Sequence, residues 1–471
     1  MDAQKDQQLQ LQNLLDKASD TTFGQKHNFR ALSDYASFKD EVPLQFYRDI
    51  DIDALKNGTA DLYWPGSVDK YAVSAGTSGK GKHLPITEDR LNSDRRFMRK
   101  VVLSYLRQQP NIFKLIGSHL SLPGSLEHHD GLAIGEISGH TGVRAPKWLK
   151  ALQVVSPDKL TRLSFKEKFD LILENAIDAN LKVITAVPSW ILTLFQEVLK
   201  KTGKKSIAEV WPNLHLLVCG GVKLANYRPH LEKLMGDLNP YFIETYGASE
   251  GYFAFSDDFD KNDLKLITDN GIFYEFIADP LPDEESMSIQ DTIPLWEVET
   301  GVPYAMVIST NAGLWRYAVR DIVEFTSVSP YRFEVKGRVS EMLDDYGEGL
   351  YIYEAEKALN KAAKQLGVQQ SAFTIAPTLA SESEVPFHHW FVQFTEPIHA
   401  DTLKKMGKTI DEHLVEINRH YAIRRETEAL SAPKVSSITQ DDINRWMEAS
   451  GKAKAQGKLP KVLRENVDVM G

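Results

Sequence analysis

Three short apolar runs constrain the fold more than anything else in the chain. "KVITAV" (182–187), "LHLLVCGG" (214–221) and "YFIETYG" (241–247) are rich in aliphatic, β-branched and aromatic residues and too short for buried helices. Between the first two lies "SWILTLFQEVLKKTG", opened by Pro188 and closed by Gly203. Between the last two lies a helical stretch over about 225–235, and another helix is expected over 165–177. Parallel strands need a crossover of this length, so strand, helix, strand predicts an α/β core with a parallel sheet.

The pattern changes after Gly337. "SAFTIAP" and "HHWFVQFTEP" read as strands of a smaller sheet, and Leu403, Met406, Ile410, Leu414 and Ile417 share one helical stripe. A compact α+β unit is expected there. The acidic, glycine-containing "SEMLDDYGEG" (340–349) reads as a hinge between a large unit, 1–339, and a small one, 350–471.

A formal net charge of -10 opposes binding to a phosphate backbone, so no nucleic-acid partner is expected. Cys219 is the one cysteine, which excludes an intrachain disulfide and suits a reducing, cytoplasmic setting. The start, "MDAQKDQQLQLQNLLDK", is polar, unlike a secretory leader, and no apolar run approaches the roughly 18 residues of a membrane span. The expectation is a cytoplasmic enzyme or binding protein without a membrane partner; its oligomeric state stays open, with a monomer favoured.

"SAGTSGKGKHLPIT" (74–87) carries the first chemistry. Apolar runs flank it, so it joins two strands, and a helix begins after Thr87 with Glu88 and Asp89 in its first turn. Glycines let backbone N–H groups converge on an anion, while Thr77 and Ser78 add hydroxyls and Lys80 or Lys82 adds charge. The P-loop pattern fails, because His83 stands where Ser or Thr must hold magnesium and Leu84-Pro85-Ile86 does not start a helix. A phosphate-binding loop and a polar hairpin both fit the segment alone.

Other segments decide. "SAGTSGKGK", "YGASEG" (246–251), "LWRYAVRD" (314–321) and "GRVSEML" (337–343) follow the motif order of the adenylate-forming enzymes. "VPSW", "EVWPNLHLLVCGGV", "ETYGASEGYFAF" and "GIFYEF" resemble one branch, the acyl-acid amido synthetases of the Gretchen Hagen family. The likeness runs from about Thr22 to about Lys461 and resembles the family's bacterial members. It implies a large N-terminal α/β domain with mixed and parallel sheets and a small α+β C-terminal domain. It also implies use of ATP and magnesium to turn a carboxylic acid into an acyl-adenylate, which the amine of an amino acid converts to an amide.

The resemblance assigns residues. Gly76, Thr77, Ser78 and Gly79 match the triphosphate clamp, and Gly220 and Gly221 the place where adenine meets backbone. Thr245 and Tyr246 match the adenine-binding motif, Glu250 the magnesium carboxylate, Asp321 the ribose carboxylate and Arg338 its partner near ribose or phosphate. Lys458, in "QGKLPKV", resembles the lysine that enters the site for adenylation, so Lys458 and Glu250 are the expected catalytic pair. Trp190, after a strand end, and His140, in "GEISGHTG", are candidates for the acyl pocket. Arg95, Arg96 and Arg99 read as a solvated helix face.

Three positions depart from the family pattern. Arg320 stands for a glycine just before the ribose aspartate, which would strain the backbone if that φ is positive. Ala75 replaces a serine of the phosphate loop, and Gly349 replaces a glutamate near the hinge. Coenzyme A as acceptor, and a non-catalytic nucleotide-binding protein, are the competing expectations.

Overall fold

The computed structural model describes residues 2–74, 82–281, 284–343, 345–346, 348–378, 385–450, 459–464 and 467–470. Strands β1 (Lys70–Ser74) and β2 (Lys82–Pro85) are antiparallel partners on either side of the glycine-rich segment, as its apolar flanks predict. Thr87 caps the next helix, Glu88–Gln108, by accepting from the Arg90 amide at 3.1 Å. Strands β3 (Ser118–Ser121), β4 (Leu126–His129) and β5 (Leu132–Gly135) follow. A four-stranded sheet forms in the order β2-β1-β5-β4.

The three apolar runs become β6 (Leu181–Ala186), β7 (Leu216–Gly220) and β8 (Tyr241–Ala248), all parallel. Helix Pro188–Thr202 makes the first crossover, starting on proline and ending where Gly203 adopts φ 66°. The second crossover differs from the expected helix over 225–235. A 3-10 turn, Leu224–Asn226, comes first, and the α-helix runs only from Arg228 to Met235. Pro229 in its first turn lacks an N–H and has a preset φ, which favours a new helical start there.

Strands β9 (Gly251–Phe255), β10 (Leu264–Leu266), β11 (Ile272–Ala278), β12 (Ile293–Pro294), β13 (Pro303–Thr310), β14 (Tyr317–Val328) and β15 (Tyr331–Arg338) complete the large sheet. Its order is β12-β11-β13-β14-β15-β10-β9-β8-β7-β6-β3. Pairing is parallel from β3 to β8 and antiparallel beyond. The direction changes at the β8–β9 hairpin, and open sheets gather ligands where strand order or direction switches. Trp190, Phe195 and Trp211 pack under the parallel half, and helix Ala3–Ala18 buries Leu11, Leu14 and Leu15 against the antiparallel half. Burying each such large side chain stabilises by roughly 1.5–3 kcal/mol.

The C-terminal sheet has the order β16 (Gln370–Pro377), β17 (His388–Phe394), β18 (Lys434–Ile438). Helix Ala400–Ile417 buries Met406, Ile410 and Leu414 from the expected stripe, while Leu403 and Ile417 are half-buried. The stretch 340–349 is not the solvated linker its composition suggests. Leu343 and Leu350 exchange two backbone hydrogen bonds, of 2.9 and 2.7 Å, and both are fully buried in the C-terminal core. Glu348 is also fully buried, accepting from His388 Nε2 at 2.8 Å. Val339, by contrast, packs with Phe46 and Ile277 of the large unit, so residues 340–342 lie between the two cores.

Candidate active site

Ser249 and Glu250 form the two-residue turn between β8 and β9, where Ala248 pairs with Gly251. The glycines around it are required by packing. A Cβ at Gly247 would lie 2.6 Å from the Tyr252 ring, and one at Gly251 would lie 2.9 Å from Ile272. The turn is tied to the helix after the glycine-rich segment, because Arg90 Nη1 donates to the Ser249 carbonyl at 2.8 Å. Asp94, one helical turn on, meets Arg90 Nε at 3.4 Å, and both side chains are buried.

Asp321 on β14 stands opposite Arg338 on β15. Tyr246 on β8 donates its hydroxyl to Asp321 Oδ2 at 2.7 Å, and Arg338 Nε donates to Oδ1 at 2.9 Å. The Tyr246 ring is held by Phe253 and Phe333, with centroids 5.3 and 5.8 Å away. Burial, and then the Asp321 charge, push the Tyr246 hydroxyl far above its ordinary pKa, so it remains a donor. The Asp321 charge in turn raises Arg338.

Glu250 joins this group. Burial raises its carboxyl above the usual range, opposed by the Arg338 and Lys82 charges and reinforced by Asp321. Lys82 is the first described residue after the glycine-rich segment. Burial lowers its pKa, and the Glu250 charge pulls it back. The end of the glycine-rich segment and the acidic turn therefore feel each other's charge. Tyr317 lies at the same place, with a buried hydroxyl that has no hydrogen-bond partner among the described residues and that feels Glu250.

At the end of β7, Gly220 pairs with Thr245, and a Cβ there would lie 2.7 Å from Thr245 Oγ1. Thr245 Oγ1 donates to the Cys219 carbonyl at 3.0 Å, and Gly221 turns the chain with φ 82°. The glycine pair thus serves strand packing and the turn, as well as leaving that strand end without side chains. Cys219 is buried, and burial raises its thiol, so it is inert packing.

Two candidates fall outside the cluster. Trp190 is a core residue, packed with Ile191, Leu194 and Phe195. His140 is buried in helix Ile137–Val143 with Nε2 hydrogen-bonded to the Tyr71 carbonyl at 3.1 Å. Burial lowers its pKa to about 4, so the ring is held neutral with its Nε2 against the β1 carbonyl. Arg95, Arg96 and Arg99 are exposed, as a solvated face requires.

Gly76, Thr77, Ser78, Gly79 and Lys458 lie outside the described residues. Beside Lys458, the tail at Lys461 is described. Its carbonyl accepts from the Ile375 amide at 2.9 Å, and its ammonium lies 3.8 Å from the Phe373 ring centroid.

Sequence reading missed Arg90, Asp94, Tyr317 and Glu284. Arg320 does have a positive φ, of 67°, a conformation that costs a side chain on the order of 1–2 kcal/mol. Its guanidinium pairs with Glu284 at 3.0 Å, and Arg48 meets the same carboxylate at 3.3 Å. No group of three or more His, Cys, Asp or Glu among the described residues could hold a metal alone. A single carboxylate such as Glu250 fits magnesium, which takes one or two protein carboxylates beside phosphate oxygens. Among the described residues, no helix is long and apolar enough to cross a membrane.

Residues 1–192 match the GH3 family N-terminal domain, 265–338 the GH3 family central domain and 353–467 the GH3 family C-terminal domain. The chain is 22% identical to the indole-3-acetic acid-amido synthetase GH3.3 of Arabidopsis thaliana, over 96% of this chain and 88% of the relative. Its fold is similar to that of the GH3.15 acyl acid amido synthetase, with a TM-score of 0.80 at 17% identity, covering 100% of this chain and 93% of the other. It is also similar in fold to a 2-hydroxyisobutyryl-CoA ligase in its postadenylation state, with a TM-score of 0.57 at 12% identity over 98% and 89% of the two chains.

Proposed function

The chain belongs to the GH3 family, and from that premise we propose that it is an ATP-dependent acyl-acid amido synthetase. The observation that carries the reading is the meeting of Lys82, Glu250, Asp321 and Arg338 at the β8–β9 turn. The end of a glycine-rich segment, an acidic turn and an oriented carboxylate feel one another's charges, which supports a site for a nucleotide with its phosphates.

The chemistry follows in two steps. A carboxylate oxygen of the acid attacks the α-phosphorus of ATP, the bond to the β-phosphate oxygen breaks, and pyrophosphate leaves. The amine nitrogen of an amino acid then attacks the acyl carbon and loses a proton while the bond to AMP breaks, giving amide and AMP. The protein's part is to position these groups and offset phosphate charge.

In this reading Asp321 accepts the ribose hydroxyls, with its two oxygens oriented by Tyr246 and Arg338. Gly220, Gly221 and Thr245 border the base. Thr77 and Ser78, with the backbone from Gly76 to Gly79, hold the phosphates by resemblance, and Lys458 offsets charge on the α-phosphate. Magnesium held by Glu250 would supply positive charge where the phosphate oxygens gain negative charge. The small unit, 350–471, turns against the large one about residues 340–342, the short stretch between the two cores. The single buried cysteine supports a cytoplasmic setting.

Product analysis tests the reading. Protein incubated with ATP, magnesium, a panel of aromatic and aliphatic acids and the standard amino acids should give an acyl-amino acid and AMP by mass spectrometry. A thioester formed with coenzyme A and no amide would reassign the acceptor.

A further inference from the structure

The turn that carries Glu250 is gripped from outside its own hairpin. It is two residues long, between the paired Ala248 and Gly251. Arg90 Nη1 donates to the Ser249 carbonyl at 2.8 Å, across 159 residues of chain. That carbonyl and the Glu250 amide belong to one planar peptide. Holding the oxygen therefore sets the direction in which Glu250 leaves the turn.

Arg90 is itself fixed in place. It stands in the first turn of helix Glu88–Gln108, which β2 leads into directly from the glycine-rich segment. Thr87 Oγ1, which caps this helix, donates to the Asn311 carbonyl at 2.6 Å. Asn311 Nδ2 donates in turn to Ser93 Oγ at 2.8 Å, so the start of the helix is tied to the end of β13.

As a device for stability alone, the Arg90–Asp94 pair is poor. Arg90 is 2% exposed and Asp94 3%, yet Nε and Oδ1 meet only at 3.4 Å. Arg90 Nη2 and Asp94 Oδ2 are buried with no hydrogen-bond partner among the described residues. Apolar side chains of similar volume often match or better such a buried pair. What they cannot supply is the directed, charge-assisted bond to Ser249.

We propose that Arg90 is a positioning residue for the reaction: through the Ser249 carbonyl it fixes Glu250 relative to the glycine-rich segment, while Asp94 offsets the buried guanidinium charge. The proposal rests on the amido synthetase reading above, in which Glu250 holds the magnesium that accompanies ATP.

Titration calorimetry with ATP, once with magnesium and once with EDTA, tests the role. The proteins are wild type, Arg90→Met/Asp94→Leu, Arg90→Lys, Asp94→Asn, Glu250→Gln, and Glu250→Gln combined with the double variant. Removing both charges together leaves no unpaired buried ion, so the double variant should fold and melt within about 5 °C of wild type. Arg90→Lys keeps the charge beside Asp94 but lacks the guanidinium fork, and it reads the same effect should the double variant not fold. Wild type should bind ATP about tenfold more tightly with magnesium than with EDTA. Both Arg90 variants should lose most of that gain and change less than about twofold with EDTA. With magnesium, the combined variant should bind no more weakly than Glu250→Gln, because Arg90 acts through Glu250. Asp94→Asn keeps an acceptor for Nε and the bond to Ser249, so it should melt lower than wild type yet keep the magnesium gain.

A magnesium gain left intact in the Arg90 variants, an equal loss with and without magnesium, or losses that add in the combined variant would each overturn the proposal. So would a wild type that binds ATP equally in both conditions. These titrations need no turnover. Absence of acid-dependent pyrophosphate exchange in wild type would remove the amido synthetase reading, while the magnesium gain still decides what Arg90 does.

Discussion

Tyr246 and Asp321 are joined by a 2.7 Å hydrogen bond that links β8 to β14 at the point where the large sheet changes direction. Arg338 takes the other carboxylate oxygen, so Asp321 has a fixed orientation before any ligand arrives. Tyr246→Phe keeps the ring against Phe253 and Phe333 and removes only this bond. A stability loss of about 1 kcal/mol is expected, with a rise in the KM for ATP of about tenfold and a smaller change in kcat. Thermal melts and steady-state kinetics check both. An unchanged KM would show that Asp321 does not hold the nucleotide.

Glu250 makes a prediction with two signs. Burial raises its folded pKa, so the native state binds the proton more readily than the unfolded chain. Its contribution to stability is therefore present below the unfolded value and lost as pH rises through the raised one. Glu250→Gln removes the buried charge and should melt no lower than wild type at pH 7. The same variant should lose magnesium-dependent turnover by at least about a hundredfold, on the order of 3 kcal/mol in the barrier. A variant that melts much lower yet keeps turnover would contradict both parts.

Gly220 tests the packing at the end of β7. A methyl group there would meet Thr245 Oγ1 at 2.7 Å, so Gly220→Ala should cost about 1–3 kcal/mol. Adding Thr245→Ala removes the opposing atom, and the double variant should recover part of the loss in urea denaturation. Strictly additive losses would mean that the two positions do not press on each other.

The buried Glu348–His388 pair anchors the end of the hinge region in the C-terminal core. Burial alone would raise Glu348, but the hydrogen bond and charge of His388 outweigh it and hold the carboxyl below its usual range. Glu348 therefore adds stability above the ordinary glutamate pKa, and that stability is lost as pH falls through the lowered value. His388→Ala leaves a buried carboxylate without its partner and should cost about 3–5 kcal/mol at pH 7. The cost should shrink on acidification, as chemical denaturation across pH 3–7 would reveal.

What the sequence makes legible here is local. Pro188, Gly203 and Thr87 mark helix ends because their signals lie within a few residues of the ends themselves. The parallel core follows from the spacing of three apolar runs, and the antiparallel pair around the glycine-rich segment from its flanks. Asp321 and Arg338 meet because their strands are neighbours in both chain and sheet. Arg90 was not legible, because its partner is 159 residues away and a buried arginine has no local signature. Glu284 was missed for the same reason, lying 36 residues from Arg320. The stretch 340–349 misleads in the other direction. Its acidic and glycine residues suggest solvent, but Leu343 and Leu350 pull it into the core.

Acid-dependent exchange of labelled pyrophosphate into ATP tests the central claim most directly, because it reads adenylate formation without needing the amine. With magnesium and a suitable carboxylic acid, label should enter ATP, and Glu250→Gln should abolish the incorporation. Exchange that ignores the acid, or none with any acid while ATP binds, would contradict the account.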